Sequence, residues 1–341
     1  IVKPIYHIVS IIVIFAMILI VIIIFISVFF SKTITNPVKD LALASQTITG
    51  GDYNISIDTQ TFTGELLDLG ESFNKMTKEI NIYREHLEEL VKNRTQKLSE
   101  ANKKMKDDLM MAQRIQESLI PKVFPKNDIL KMSGLYIPME NLGGDLYDVI
   151  KLSESKIAIM ILDVCGHGVA AALITTMAKA LFNSYSVQGL TCKEVVTNVN
   201  RELRNIIGDM GNYLTAFYGI IDLNTQILEY TNAAHTISYV LKKDGSIVEM
   251  DTNSTLIGVF ENIEFDSSYI KLNEFDKIIL YTDGIPESRD ASNNLFGYDR
   301  FKELLLSNRD LNLKEFVKQI IDNVKDYRKD EPQEDDITLL I

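Results

Sequence analysis

The chain has 341 residues, with 35 basic and 47 acidic side chains and a formal net charge of −12. That surplus of negative charge excludes duplex nucleic acid as a partner, because no basic stripe is available to neutralise phosphates. The two cysteines, Cys165 and Cys192, supply neither a disulfide framework nor a zinc set and fit a reducing compartment. The length suffices for a core of about 220 residues beside a small module and a linker.

A membrane helix is the first predicted element. Between Ile5 and Phe30 no residue carries a fixed charge, and the stretch is almost wholly Ile, Val, Phe, Leu and Met. At about 1.5 Å per residue such a helix spans the roughly 30 Å hydrocarbon core of a bilayer. A signal peptide would have an apolar centre of about 7 to 15 residues and a small-residue cleavage site, which this stretch lacks. Lys3 on one side and Lys32 and Lys39 on the other leave the orientation open. Because the sequence opens at Ile1 rather than methionine, it is expected to be a fragment, with an extracytoplasmic sensor ahead of the helix.

Residues 31–80 read as Pro37 just past the membrane, a short amphipathic helix through Ile48, a connector opening with Gly50 and Gly51, and a second helix beginning GELLDLGESFNKM. Through Gly64, Glu65, Leu66, Leu69, Phe73, Asn74 and Met76 this segment resembles a HAMP signalling module. The resemblance implies a dimeric, parallel four-helix bundle in the cytoplasm, and so a cytoplasmic location for whatever follows.

The second helix continues. Leu66, Leu69, Phe73, Met76, Ile80, Tyr83, Leu87 and Leu90 alternate steps of three and four, the apolar seam of a coiled coil. The positions then run Arg94, Leu98, Ala101, Met105, Ala112, Ile115 and Leu119, and the successive steps of four around Arg94 read as a stutter that locally unwinds the supercoil. Pro121 and Pro125 set the end of the helix. The expected partition is a transmembrane helix at 1–31, a HAMP module at 32–80, a dimeric coiled-coil linker at 81–118 and a catalytic domain at 119–341. His86 lies on the linker, but REHLEEL lacks the proline that follows a phosphoacceptor histidine, and no ATP-binding domain follows, which excludes a histidine kinase.

Acidic clusters dominate the rest: GGDLYD with Asp145 and Asp148, DVCGHG with Asp163, YTDG with Asp283, and EDDIT with Asp335 and Asp336. Asp-Gly alone is a common turn. Here, however, Asp163 follows the strand-like run KIAIMIL and precedes the helical VAAALITTMAKALF, Asp283 ends KIILYT, and DDITLLI begins a strand. Carboxylates at separate strand ends can share one cleft, and oxygen ligands suit hard ions such as Mg²⁺ and Mn²⁺. Two such ions would activate water for in-line attack on a phosphate ester, with no serine or cysteine nucleophile. GGDLYD departs from a diguanylate cyclase hairpin at its fifth and sixth positions, and that reading leaves DVCGHG and EDDIT unexplained.

In order, AQRIQESLIP, GGDLYD, DVCGHG, TAFYGIID, NAAHT, YTDGIPES, FGYDRF and EDDIT resemble bacterial PPM-type (PP2C-like) serine/threonine phosphatases of the sporulation and stress-response regulator class, over about residues 112–341. The resemblance implies an α+β fold, an α-β-β-α sandwich of two antiparallel sheets flanked by helices. It implies a two-ion Mn²⁺ or Mg²⁺ site in which Asp145, Asp163, Asp283 and Asp335 are ligands, Asp163 bridges both ions and Val164 offers its backbone carbonyl. Asp336 is expected at the strand start in a supporting role, and Asp148 is a further candidate ligand. His167 is a candidate general acid that could equally order the turn between Gly166 and Gly168, while His235 is expected to be structural.

The sequence departs from the family at Ala234, where glycine is usual, at Pro286, where threonine is frequent, and at Cys165, where serine is common. No motif supplies the arginine that grips phosphate in eukaryotic relatives. The expected protein is a membrane-bound dimer acting on a phosphorylated protein, by resemblance a STAS-domain anti-anti-sigma factor, and switched through the HAMP module and coil. A catalytically dead phosphatase fold serving as a signalling scaffold is the alternative.

Overall fold

The computed structural model describes residues 3–125, 127, 129–208, 211–251 and 254–341, so residues 1 and 2 of the expected membrane segment lie outside it. The chain divides into two compact units, Ile1–Lys104 and Met105–Ile341. In the first, α1 (Lys3–Phe30) runs through one π-helical turn (Ser31–Thr35) into α2 (Asn36–Thr49), with Pro37 where a first helical turn tolerates it. The apolar side chains of α1 from Ile8 onward are exposed, and the helix is long and apolar enough to cross a membrane. After the turn at Gly50 and Gly51, an extended connector leads to α3 (Glu65–Leu119).

Ala44, Ile57 and Phe62 form a small core there, with Leu41, Leu66 and Phe73 packed on it. Asn74 fixes the connector through both backbone groups of one residue: Ile57 N–H donates to its Oδ1 at 2.7 Å, and its Nδ2 donates to the Ile57 carbonyl at 2.9 Å. Leu69, Met76, Tyr83, Leu87, Leu90 and Leu98 all face outward from the single chain.

The second unit is built from β1 (Gly134–Ile137), β2 (Leu146–Lys151), β3 (Lys156–Val164), α4 (Val169–Ser186), α5 (Cys192–Ile207), β4 (Leu214–Asp222), β5 (Ile227–Ala233), β6 (Ser238–Leu241), β7 (Ile247–Met250), β8 (Ser268–Lys271), β9 (Lys277–Tyr281), α6 (Tyr298–Ser307), α7 (Leu313–Arg328) and β10 (Ile337–Leu340). Two five-stranded sheets result, ordered β1-β10-β9-β6-β7 and β2-β3-β4-β5-β8, with antiparallel pairing throughout.

Burial on both faces explains why β3 reads as an unbroken apolar run rather than an alternation. Ile157, Ile159 and Ile161 join Phe217, Tyr230, Val240 and Leu280 between the sheets. Ala158, Met160 and Leu162 face Ala178, Phe182, Val195 and Val199 of α4 and α5. On the opposite side Phe301 of α6 and Phe316, Ile320 and Val324 of α7 cover Tyr239, Tyr281 and Leu339. The layers are therefore helix, sheet, sheet, helix.

Candidate metal centre

The centre forms where both sheets end. Asp163 occupies the next-to-last position of β3, Asp145 immediately precedes β2, Asp283 lies two residues past β9, and Asp335 and Asp336 lead into β10. Asp163 lies within reach of the other four: it feels Asp283, Asp335 and Asp336 and is hydrogen-bonded to Asp145. Burial first, and the charges of Asp283, Asp335 and Asp336 second, push the Asp163 carboxyl up to about 7, against the hydrogen bond to Asp145, which lowers it. Burial and then Asp283 push Asp335 up to about 6, and burial, then Asp163 and Asp336, raise Asp145 well above the usual carboxylate range. Asp283 is raised by burial and then by Glu287.

Asp145 is aimed by two hydroxyls from the opposite sheet. Thr282 Oγ1 and Thr338 Oγ1 both donate to its Oδ2, at 2.7 and 2.6 Å. Its backbone is held by Asp336, whose Oδ2 accepts from the Gly144 and Asp145 N–H groups at 2.8 and 3.3 Å, while Oδ1 accepts from Met139 N–H at 2.7 Å. The approach is close enough to demand glycine: a Cβ on Gly143 would lie 2.0 Å from Asp336 Oδ2. A Cβ on Gly144 would lie 2.6 Å from the Val164 carbonyl oxygen and 3.3 Å from Asp163 Oδ1, which places that carbonyl against the Asp145 loop.

Asp148 faces elsewhere. It is buried on β2 and forms an ion pair with Lys179 of α4. His167 is exposed, with Nδ1 3.8 Å from Glu140 Oε2, and its charge acts on Asp335. His235 is buried, with Nδ1 2.8 Å from Thr215 Oγ1, and burial lowers it to about 4, so it is neutral at pH 7. Ala234 has φ +54°, the left-handed region that favours glycine, and the conformation costs alanine about 1 kcal/mol. Pro286 lies in the turn after Asp283, its carbonyl accepting from Gly297 N–H at 2.8 Å, and Cys165 donates its backbone N–H to the Tyr213 carbonyl at 2.9 Å.

The residues fit a hard divalent ion in donor chemistry. The donors are oxygens, with Asp145 and Asp336 buried, Asp163 and Asp283 half-buried and Asp335 exposed, and among the described residues no lysine or arginine forms an ion pair with any of the five carboxylates. Uncompensated charge of this kind is what a bound cation relieves. Among the described residues, no three of these groups already converge on one point as a closed ligand cage.

Sequence reasoning passed over Gln116, Thr175, Lys179, Thr282 and Thr338. Lys179 had a signal, being the sole charge in VAAALITTMAKALF, and both threonines stood inside motifs already singled out, Thr282 next to Asp283 and Thr338 two residues after Asp336.

Residues 153–341 match the family described as Stage II sporulation protein E (SpoIIE). The chain belongs to the SpoIIE family. Residues 29–81 match the HAMP domain. Protein IcfG of Synechocystis sp. is 27% identical over 302 residues, 80% of this chain and 46% of that protein. The phosphoserine phosphatase RsbP of Bacillus subtilis is 32% identical over 201 residues, 58% of this chain and 49% of that one. The chain thus spans about half the length of both curated relatives. The PP2C domain of SiaA from Pseudomonas aeruginosa superposes with a TM-score of 0.64 at 23% identity, covering 70% of this chain and 97% of that domain. The SpoIIE-type unit therefore has the PP2C fold, and the preceding module is a HAMP domain.

Proposed function

We propose that this chain is a membrane-anchored, dimeric, metal-dependent phosphoserine/phosphothreonine protein phosphatase, with Asp145, Asp163, Asp283, Asp335 and the Val164 carbonyl holding two Mn²⁺ or Mg²⁺ ions. The observation that carries this reading is the gathering of carboxylates from both sheets at one end of the sandwich, with no lysine or arginine paired to them among the described residues. Bound divalent ions supply Lewis acidity there, making water acidic enough to attack at neutral pH and offsetting charge on the phosphoryl oxygens.

The chain's own residues do the rest. Thr282 and Thr338 fix one oxygen of Asp145. Asp336 holds the loop backbone, and the exposed imidazole of His167 would be the candidate to pass a proton to the leaving alkoxide. Asp148, tied to Lys179, braces β2 against α4.

The substrate we favour is a phosphorylated STAS-domain anti-anti-sigma factor, in keeping with relatives such as RsbP being named phosphoserine phosphatases. The α1 helix would anchor the protein, the HAMP module and the outward seam of α3 would pair two copies, and the coil would relay a signal to a cytoplasmic catalytic unit. Asp163→Asn tests the chemistry: Mn²⁺-dependent release of phosphate from a phosphoseryl peptide should fall by orders of magnitude in a protein that still melts cooperatively. Near-wild-type turnover at saturating Mn²⁺ would sink the two-ion reading.

A further inference from the structure

The last turns of α3 belong to the same compact unit as the sheets. Between Thr77 and Leu119 one side chain of that helix is buried, and it is polar: Gln116, 4% exposed. Its amide takes both backbone groups of a single residue, Nε2 donating to the Gly143 carbonyl at 2.7 Å and Oε1 accepting from Gly143 N–H at 3.1 Å. The pattern is the one Asn74 makes with Ile57 nearer the start of the same helix.

Gly143 is two residues from Asp145, and the backbone between them is held at every point. Gly144 N–H and Asp145 N–H go to Asp336, and the Gly144 carbonyl accepts from Thr175 Oγ1 at 2.7 Å and from Val164 N–H at 3.3 Å. Asp336 and Thr175 fix the later part of this loop, and Gln116 fixes where it enters.

We propose that Gln116 is a positioning residue for the metal centre, the side chain through which the end of α3 sets the placement of Asp145. This rests on the metal-dependent reading above. A buried glutamine at this point costs desolvation of its amide, and the two bonds to Gly143 recover it only when the last turn of α3 is in register. A turn of the helix by one residue position, about 100°, carries the amide off Gly143. Metal ligands tolerate displacements of about half an ångström, so loss of this hold should act on metal affinity before it acts on the chemical step.

The test compares the full chain in detergent with Gln116→Leu and Gln116→Met, both similar in volume to glutamine and unable to hold a peptide group. Three quantities are read: the Kd for Mn²⁺ from the signal of free Mn²⁺, hydrogen exchange over residues 139–146 in EDTA, and turnover of a phosphoseryl peptide against Mn²⁺ concentration. The expected result is a Kd raised about tenfold or more, with faster exchange at Gly144 and Asp145. Turnover at saturating Mn²⁺ should remain within about threefold of wild type, since the ligands themselves are intact.

A cooperatively melting variant with unchanged exchange and wild-type Mn²⁺ affinity would overturn the positioning role alone. Absence of Mn²⁺ binding in the wild-type chain would overturn the metal reading and this inference together. If Gln116→Leu does not fold, Gln116→Met decides between the first two outcomes.

Discussion

Asp336 accepts three backbone N–H groups with its two oxygens. Asparagine in its place turns one oxygen into a donor, so at least one buried N–H must then face another N–H. Hydrogen bonds to a carboxylate contribute roughly 1.5–3 kcal/mol each, and an orphaned buried donor adds its desolvation cost. Asp336→Asn should therefore lower the stability of the catalytic unit by about 2–3 kcal/mol and weaken Mn²⁺ binding, although Asp336 is not assigned as a ligand. Urea melts with and without Mn²⁺ check this: a stability loss with unaltered metal affinity would mean that the Asp145 loop holds its shape unaided. Asp336 and the paired threonines show how far the residue types alone could be read. Asp163 and Asp283 were visible because each ends an apolar run close to a glycine, Asp145 because it follows Gly143 and Gly144, and Asp335 and Asp336 because they open the apolar run at the end of the sequence. Their supporting contacts were not, because Thr338 touches Asp145 across 193 residues and from the other sheet. Sequence names a hydroxyl; only the pairing of β10 with β9 says which carboxylate it faces.

At the scale of elements, α3 is a single 55-residue helix whose early turns carry the outward apolar seam and whose end carries Gln116. If the coil transmits rotation, linker phase matters more than linker length. Inserting one residue after Leu90 turns everything downstream by about 100°, whereas inserting seven restores the heptad phase. Basal turnover should shift strongly in the first variant and stay near normal in the second. Equal activity of the two, both shown to be dimeric and folded, would make the coil a tether only. The helix itself was legible from its three-and-four spacing and from the proline after Ile120. The inward side chain near its end was not: within AQRIQESLIP nothing in residue type separates Gln116 from Gln113, and only the packing of the final turn against the Gly143 loop distinguishes them. The two sheets followed from the family resemblance and from runs such as KIAIMIL. Their register, which brings four strand ends together, is a property of long-range pairing that no single segment carries.

For the whole molecule, the clustered carboxylates make stability depend on pH and metal together. Asp163 is pushed up to about 7 and Asp335 to about 6, in both cases first by burial. A carboxyl whose folded value lies above its ordinary value of about 4 costs the fold stability as pH rises from that value through the raised one. A divalent ion removes this cost, and protons compete with it for the same oxygens. The rise in Tm on adding Mn²⁺ should accordingly be small near about pH 5, grow through pH 6 to 7 where these two groups ionise, and level off by about pH 8. Calorimetry across that range checks it, and an increment independent of pH would contradict the assignment of these groups as ligands. The same long-range hold has a consequence in time. Thr338 and Asp336 follow Asp145 by 193 and 191 residues, and a ribosome adds about 5–20 residues per second. For roughly 10–40 s of each synthesis, then, the GGDLYD loop exists without the groups that aim it. On the proposed metal-dependent reading, the nascent chain could not capture an ion during that interval and would stay chemically silent until β10 has been made and seated.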